Sequence, residues 1–124
     1  MKERFQFFFD QKERPKILVV GDLILDEYIW GGINRISPEA PVPVVTVNEF
    51  QYRLGAAGNV ANNIQSLGGQ SKIISTIGKN KKSLVLKSLL KKNKINYKFF
   101  ENKKNNTISK VRILANNAQI VRAD

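Results

Sequence analysis

Two short segments constrain this chain more than any other feature. The first is the apolar run Ile17-Leu18-Val19-Val20, which stops at Gly21 and is followed by two acids four residues apart, Asp22 and Asp26. The second is the small-residue stretch Gly55-Ala56-Ala57-Gly58, which leads through Asn59 into Val60, Ala61, Ile64 and Leu67. A short continuous apolar run between Pro15 and a glycine reads as a buried parallel strand. A glycine-rich turn followed by apolar residues at helical spacing reads as a tight turn into an amphipathic helix, with Asn59 as its N-cap. Open α/β sheets bind ligands at the carboxyl ends of their strands, where Asp22 and Asp26 fall.

Between the two segments the chain changes character. Pro38, Pro41 and Pro43 forbid helix and push the residues before them to extended geometry. Val42, Val44, Val45 and Val47 favour strand. Proline in a strand belongs at a sheet edge, so residues 28–50 are expected to form an edge or projecting sheet, turned at Gly31-Gly32. After Gly68-Gly69 the pattern is regular. A strand is expected over Lys72–Ile77, and a helix over 81–92 with Val85, Leu86, Leu89 and Leu90 inward. A third strand follows over Ile95–Phe100, then a polar turn over Asn102–Asn106. A hairpin of Thr107–Leu114 and Ala118–Arg122 around Asn116-Asn117 comes last. Phe5, Phe8 and Phe9 suggest a short amphipathic helix over 2–13, broken by Pro15. Strands alternating with helices imply a parallel sheet.

Composition removes several function classes. There is no cysteine and no histidine, so disulfides, thiolate or imidazole zinc sites and Ser-His-Asp catalysis are excluded within these residues. No apolar stretch approaches the ~18 residues of a membrane span, and a reducing cytoplasm is the expected setting. The net charge of +11 is local. Residues 79–110 hold eleven lysines and one acid, Glu101, while residues 1–78 balance. Fifteen lysines against six arginines favour a solvated helix face over a nucleic-acid surface, which recruits arginine.

Each candidate site residue has a bland reading beside the chemical one. Asp22 and Asp26 suit charge-assisted bonds to sugar hydroxyls, or are a turn residue and a strand-end charge. Gly55, Ala56, Ala57, Gly58 and Asn59 suit close backbone approach of a ligand to a helix N-terminus, or are an ordinary capped turn. Arg35 sits on a proline-stiffened segment that could reach over a cleft. Lys110 and Arg112 share one strand face and could grip a phosphate, or are exposed cross-strand charges.

At these residues the chain resembles the ribokinase-like (PfkB-type) carbohydrate kinases. Asn59, Ala61, Gly68 and Gly78 match the spacing of that family's first signature, Asn-x-Ala, six residues, Gly, nine residues, Gly. Val20-Gly21-Asp22, the run Arg35-Ile36-Ser37-Pro38-Glu39-Ala40-Pro41-Val42-Pro43-Val44, Thr107 to Arg112 and Ile120-Val121-Arg122 resemble its heptose-7-phosphate kinase branch. The likeness runs from about Lys16 onward.

The resemblance implies the N-terminal half of a doubly wound parallel sheet with a projecting β-sheet lid over about 28–50 and 107–122. It implies that Asp22, Asp26, residues 55–58 and Asn59 hold sugar hydroxyls; from their charge and placement, Arg35, Lys110 and Arg112 are inferred to meet the sugar's phosphate. The lid is expected to pair two copies. The partner implied is a small-molecule sugar phosphate, with no nucleic acid and no membrane. Ala56 stands where the family usually has a second adjacent glycine. The family's Gly-Ala-Gly-Asp segment and its Asn-x-x-Glu magnesium element do not occur in residues 1–124. The chain is therefore expected to be a partial kinase domain, inactive alone, with ATP and Mg2+ belonging to the complete enzyme. The alternative is a non-catalytic sugar-phosphate-binding or dimerising module of the same half-fold.

Overall fold

A computed structural model describes residues 14–102, 104 and 106–124. The helix expected over 2–13 and part of the 102–106 turn lie outside the described residues. The elements are β1 (Lys16–Val20), β2 (Leu23–Ile36), β3 (Pro43–Ala56), α1 (Ala57–Ser66), β4 (Gln70–Gly78), α2 (Lys81–Lys92), β5 (Asn96–Asn102), β6 (Ser109–Ala115) and β7 (Ala118–Ala123). They build two sheets, a parallel one in the order β1-β4-β5 and a second in the order β3-β2-β6-β7.

The parallel sheet follows from its sequence. β4 turns Ser71, Ile73, Ser75 and Ile77 to one face, all buried. Against that face lie Ala61 of α1 and Leu86 and Leu90 of α2, with Val85 and Leu89 packed beside them. Each fully buried leucine stabilises the fold by about 1.5–3 kcal/mol. Asn80 caps α2 by accepting from the Ser83 amide at 3.1 Å. The α1 helix ends at Gly68, whose φ of 89° is the left-handed conformation that a glycine stop provides. Val60 and Leu67, expected on the inner face of α1, instead point outward. The helix begins at Ala57, which rotates its buried stripe onto Gly58 and Ala61.

β1 is parallel to β4 as expected, but it is not buried. Only Val19 packs on the core; Leu18 and Val20 are 56% and 71% exposed. Both helices join the core on the Ile73–Ile77 side, so the opposite face of this strand is bare among the described residues.

The second sheet is longer than the sequence suggested. β2 begins at Leu23 and runs straight through Gly31-Gly32, which do not turn the chain. Gly31 lies at a register shift, where an added Cβ would strike the Thr46 carbonyl of β3. The chain reverses at Ser37–Val42, closed by the Ser37 amide donating to the Val42 carbonyl at 2.8 Å. Pro43 opens an edge strand, where a missing amide is tolerated. β6 joins parallel to β2, and β7 returns antiparallel through Asn116 and Asn117, both at positive φ, as a tight hairpin requires.

This lid sheet has two unlike faces. Phe50, Ile29, Ile113 and Val121 are register partners across all four strands and form one apolar row. On the opposite face Gln51, Tyr28, Arg112 and Arg122 form a polar row, with Arg53, Asp26 and Lys110 in the next. Leu23, Leu25 and Leu54 tie the lid's root into the common core.

The lysine block is partly paired inside the fold. Lys87 and Lys79 reach Glu101 at 2.6 and 3.4 Å, and Lys82 reaches Glu27 at 2.8 Å. Among the described residues no helix is long and apolar enough to cross a membrane.

Candidate functional site

The site forms where β2, the end of β3 and the start of α1 meet. Asp26 lies on β2 directly opposite Arg53 of β3 and Lys110 of β6. Its Oδ1 accepts from Arg112 Nη1 at 2.7 Å, in an ion pair whose side chains are 18% and 20% exposed. That bond holds the Arg112 guanidinium still more firmly protonated than usual, against the opposing effect of burial. Two guanidiniums lie against the Tyr28 ring, with Arg53 at 4.7 Å and Arg112 at 5.1 Å from its centroid. Such contacts stabilise by roughly 0.5–2 kcal/mol, more as water is excluded.

The segment expected to be a loop over 55–58 is not a loop. Gly55 and Ala56 are the last residues of β3, and Ala57 and Gly58 are the first of α1. Asn59 is therefore inside the helix, and Ala56 occupies the N-cap without a side-chain bond. The direct strand-to-helix junction needs a sharp reversal. Ala56 supplies it at φ 48° and ψ −121°, a conformation that favours glycine. The Ala57 amide donates to the Asp22 carbonyl at 3.0 Å and pins the junction to the β1–β2 connection.

The two glycines of this segment have different tasks. An added Cβ at Gly55 would lie 2.5 Å from Asp26 Oδ2, so Gly55 makes room for that carboxylate. At Gly58 it would lie 2.6 Å from Leu23 Cδ1 and 3.0 Å from the Leu54 Cβ. Gly58 thus serves the packing of α1 against the lid's root, where the sequence suggested ligand approach.

A cavity of about 400 Å³ opens beside Asp26, within the size range of small-molecule sites. Asp26, Ala56 and Asn59 line it, with Asn62 one helical turn beyond Asn59. Tyr28 of β2 and Tyr52 and Arg53 of the edge strand β3 form its wall, and Leu89, Lys92 and Asn93 contribute from α2. Carboxylate and amide side chains beside an aromatic wall suit a polyhydroxylated ligand, whose hydroxyls donate to Asp26 and exchange bonds with the asparagines.

Not every residue singled out in the sequence reaches this cavity. Asp22 is exposed at the β1–β2 connection and meets the site through its backbone. Lys110 shares the Asp26 face but does not line the cavity. Arg112 is committed to Asp26. Arg35 lies nine residues further along β2, on the order of 30 Å away at strand rise, and is exposed near the hairpin's far end. Tyr28 and Arg53 line the cavity without belonging to any of these motifs. Both were accessible by period-two reasoning, two residues from Asp26 and from Gly55. Nothing local in the sequence signals Leu89, Lys92 or Asn93, which tertiary packing brings in. Among the described residues no group of three or more acids or other ligating side chains could hold a metal ion.

The chain is similar to known proteins along nearly its whole length. The pattern of the pfkB family of carbohydrate kinases matches residues 14–123. The chain is 44% identical over 124 residues to the "Bifunctional protein HldE" of Citrifermentans bemidjiense, covering 99% of this chain and 26% of that protein. It is 44% identical over 120 residues to the HldE of Pasteurella multocida, covering 97% and 25%. The chain thus spans about a quarter of the length of these relatives. Among solved structures, a carbohydrate kinase from Agrobacterium tumefaciens superposes with a TM-score of 0.70 at 22% identity, over 88% of this chain and 34% of that one. Phosphofructokinase-2 from Escherichia coli superposes at 0.67 and 23% identity, over 90% and 34%. At these identities the structural likeness shows the shared ribokinase-like fold.

Proposed function

Because the chain belongs to the pfkB family of carbohydrate kinases, we propose that it carries the sugar-binding portion and lid of an ATP-dependent kinase. The acceptor is the anomeric hydroxyl of heptose 7-phosphate, and the product serves ADP-heptose and lipopolysaccharide-core synthesis. The observation that carries the reading is the cavity at Asp26, where a carboxylate, Asn59 and the β3–α1 junction converge. The identity to HldE proteins narrows the sugar.

In this reading Asp26 accepts hydrogen bonds from sugar hydroxyls and orients the ring. Arg112 holds the Asp26 side chain in place. Asn59 and the β3–α1 junction at Ala56 complete the sugar's surroundings, with the Asp22 carbonyl bracing the junction. The lid covers the sugar and excludes water, which would otherwise compete as acceptor.

ATP and Mg2+ supply the phosphoryl group and the charge stabilisation of its transfer. Among the described residues no group of three or more metal-ligating side chains could hold the Mg2+. The binding of ATP and Mg2+ and the catalytic base are assigned to the part of such kinases that these residues do not span. A preparation of residues 1–124 is accordingly expected to show no phosphoryl transfer.

We assign the lid's other, apolar row to a second copy of the chain, because Phe50 and Val121 on it are 61% and 49% exposed.

The test is ADP release by the full-length protein with a panel of sugars. The reading expects turnover with heptose 7-phosphate well above that with fructose 6-phosphate or ribose. Turnover with none of them would refute it.

A further inference from the structure

The sequence offers Arg35, Lys110 and Arg112 for the sugar's anionic group, yet the structure leaves none of them on the cavity wall with free donors. Two other cations line it, Arg53 and Lys92. Arg53 comes from the edge strand β3 and Lys92 from the last turn of α2, so two separate elements converge on one space. Among the described residues neither lies within 4 Å of a carboxylate, whereas the cavity's own acid, Asp26, is already matched by Arg112. The cavity therefore holds positive charge that the described residues do not compensate, next to a carboxylate that is compensated.

Arg53 is also held in position. Its Nη2 donates to Gln51 Oε1 at 2.7 Å, and its guanidinium packs on the Tyr28 ring at 4.7 Å. A guanidinium has five N–H donors in a fixed fork, so one bond to Gln51 leaves the rest available. An arginine fixed on an aromatic ring loses little further freedom on meeting an anion, which favours tight recognition.

We propose that Arg53, assisted by Lys92, binds the phosphate of a phosphorylated sugar whose hydroxyls are held at Asp26, and so sets the preference for phosphorylated over neutral sugars. The proposal deepens the functional reading above and rests on it. Arg53 supplies paired donors to two phosphate oxygens. Lys92 supplies a point charge.

The test is calorimetric titration of the full-length protein with heptose 7-phosphate, with the same heptose lacking phosphate, and with inorganic phosphate. Arg53→Gln is expected to weaken heptose 7-phosphate binding roughly ten- to a hundred-fold, the range for a charged hydrogen bond, and to leave the neutral heptose within twofold. Arg53→Lys is expected to recover part of the loss. Lys92→Gln is expected to weaken it about threefold and to flatten its salt dependence. Arg53 is exposed, so these variants keep the fold. Equal losses for both sugars in Arg53→Gln, or no loss for either, would overturn the assignment of Arg53 while the sugar site stands. Failure of the wild type to bind either sugar would overturn the functional reading and this proposal together. Binding of inorganic phosphate that Arg53→Gln leaves unchanged would place the anion site elsewhere and also overturn it.

Discussion

The parallel sheet and the lid sheet solve burial differently. In the parallel sheet, Ile73 and Ile77 of β4 lie under two helices and are at most 3% exposed. In the lid, the apolar row from Phe50 to Val121 has no helix over it among the described residues, and its outer members Phe50 and Val121 stay largely exposed. The first region makes its core from local crossover units. The second makes only its root, at Leu23, Leu25 and Leu54, from the shared core. A sheet with one charged, aromatic face and one apolar face is suited to meet a polar ligand on one side and an apolar surface on the other.

The sharpest way to break this contrast is a pair of truncations. Leu90→Ala, at a fully buried site under the parallel sheet, is expected to destabilise by about 2–5 kcal/mol. Phe50→Ala, at an exposed site of the lid, is expected to change monomer stability by less than about 0.5 kcal/mol. Urea melts at low protein concentration measure both. A large loss from Phe50→Ala there would show that the lid row is buried within the single chain. Sedimentation of Phe50→Glu then addresses the second copy. The account expects a shift from dimer to monomer.

The junction between the regions gives smaller effects of opposite sign. Gly58→Ala forces a methyl against Leu23 and Leu54 and is expected to destabilise by roughly 1–3 kcal/mol. Ala56→Gly relieves a non-glycine residue at positive φ. Relief of roughly 1–3 kcal/mol, less the extra freedom glycine gains in the unfolded chain, leaves a net gain of about 1 kcal/mol. Thermal melts of the two variants should move in opposite directions. A lower melting temperature for Ala56→Gly would mean that the junction is not strained.

The smallest effect is electrostatic. The Lys87 ammonium, with Lys79 behind it, holds the exposed Glu101 carboxyl below its ordinary value. A carboxylate with a depressed folded-state pKa adds stability above its unfolded value, about 4.5, and loses it as pH falls through the lower folded value. Glu101→Gln should therefore remove a slight acid-side dependence below about pH 4.5 and change little at neutral pH. An unchanged acid limb in the variant would show that the pair does not couple to folding.

The parallel sheet was legible in the sequence because its signals are local. Leu86 and Leu90 repeat at helical spacing, and Gly68 marks a helix stop. The lid was legible in kind through its prolines but not in extent. Gly31-Gly32 looks like a turn, and only pairing with Val45 and Thr46 shows it to be a close approach between strands. The junction misled for a similar reason. Asn59 is a good N-cap by type, but the backbone reversal at Ala56 starts the helix before it. Asp26 and Asn59 line one cavity although they are 33 residues apart, and Lys92 joins them only through the packing of α2.

The central claim is that the cavity at Asp26 holds a sugar. Asp26→Asn keeps the side chain's shape and removes its charge, and Gly55 still leaves it room. Calorimetric titration of the full-length protein should show heptose 7-phosphate bound about 1.5–3 kcal/mol more weakly by this variant, with ATP affinity unchanged. An unchanged affinity for heptose 7-phosphate would contradict the account.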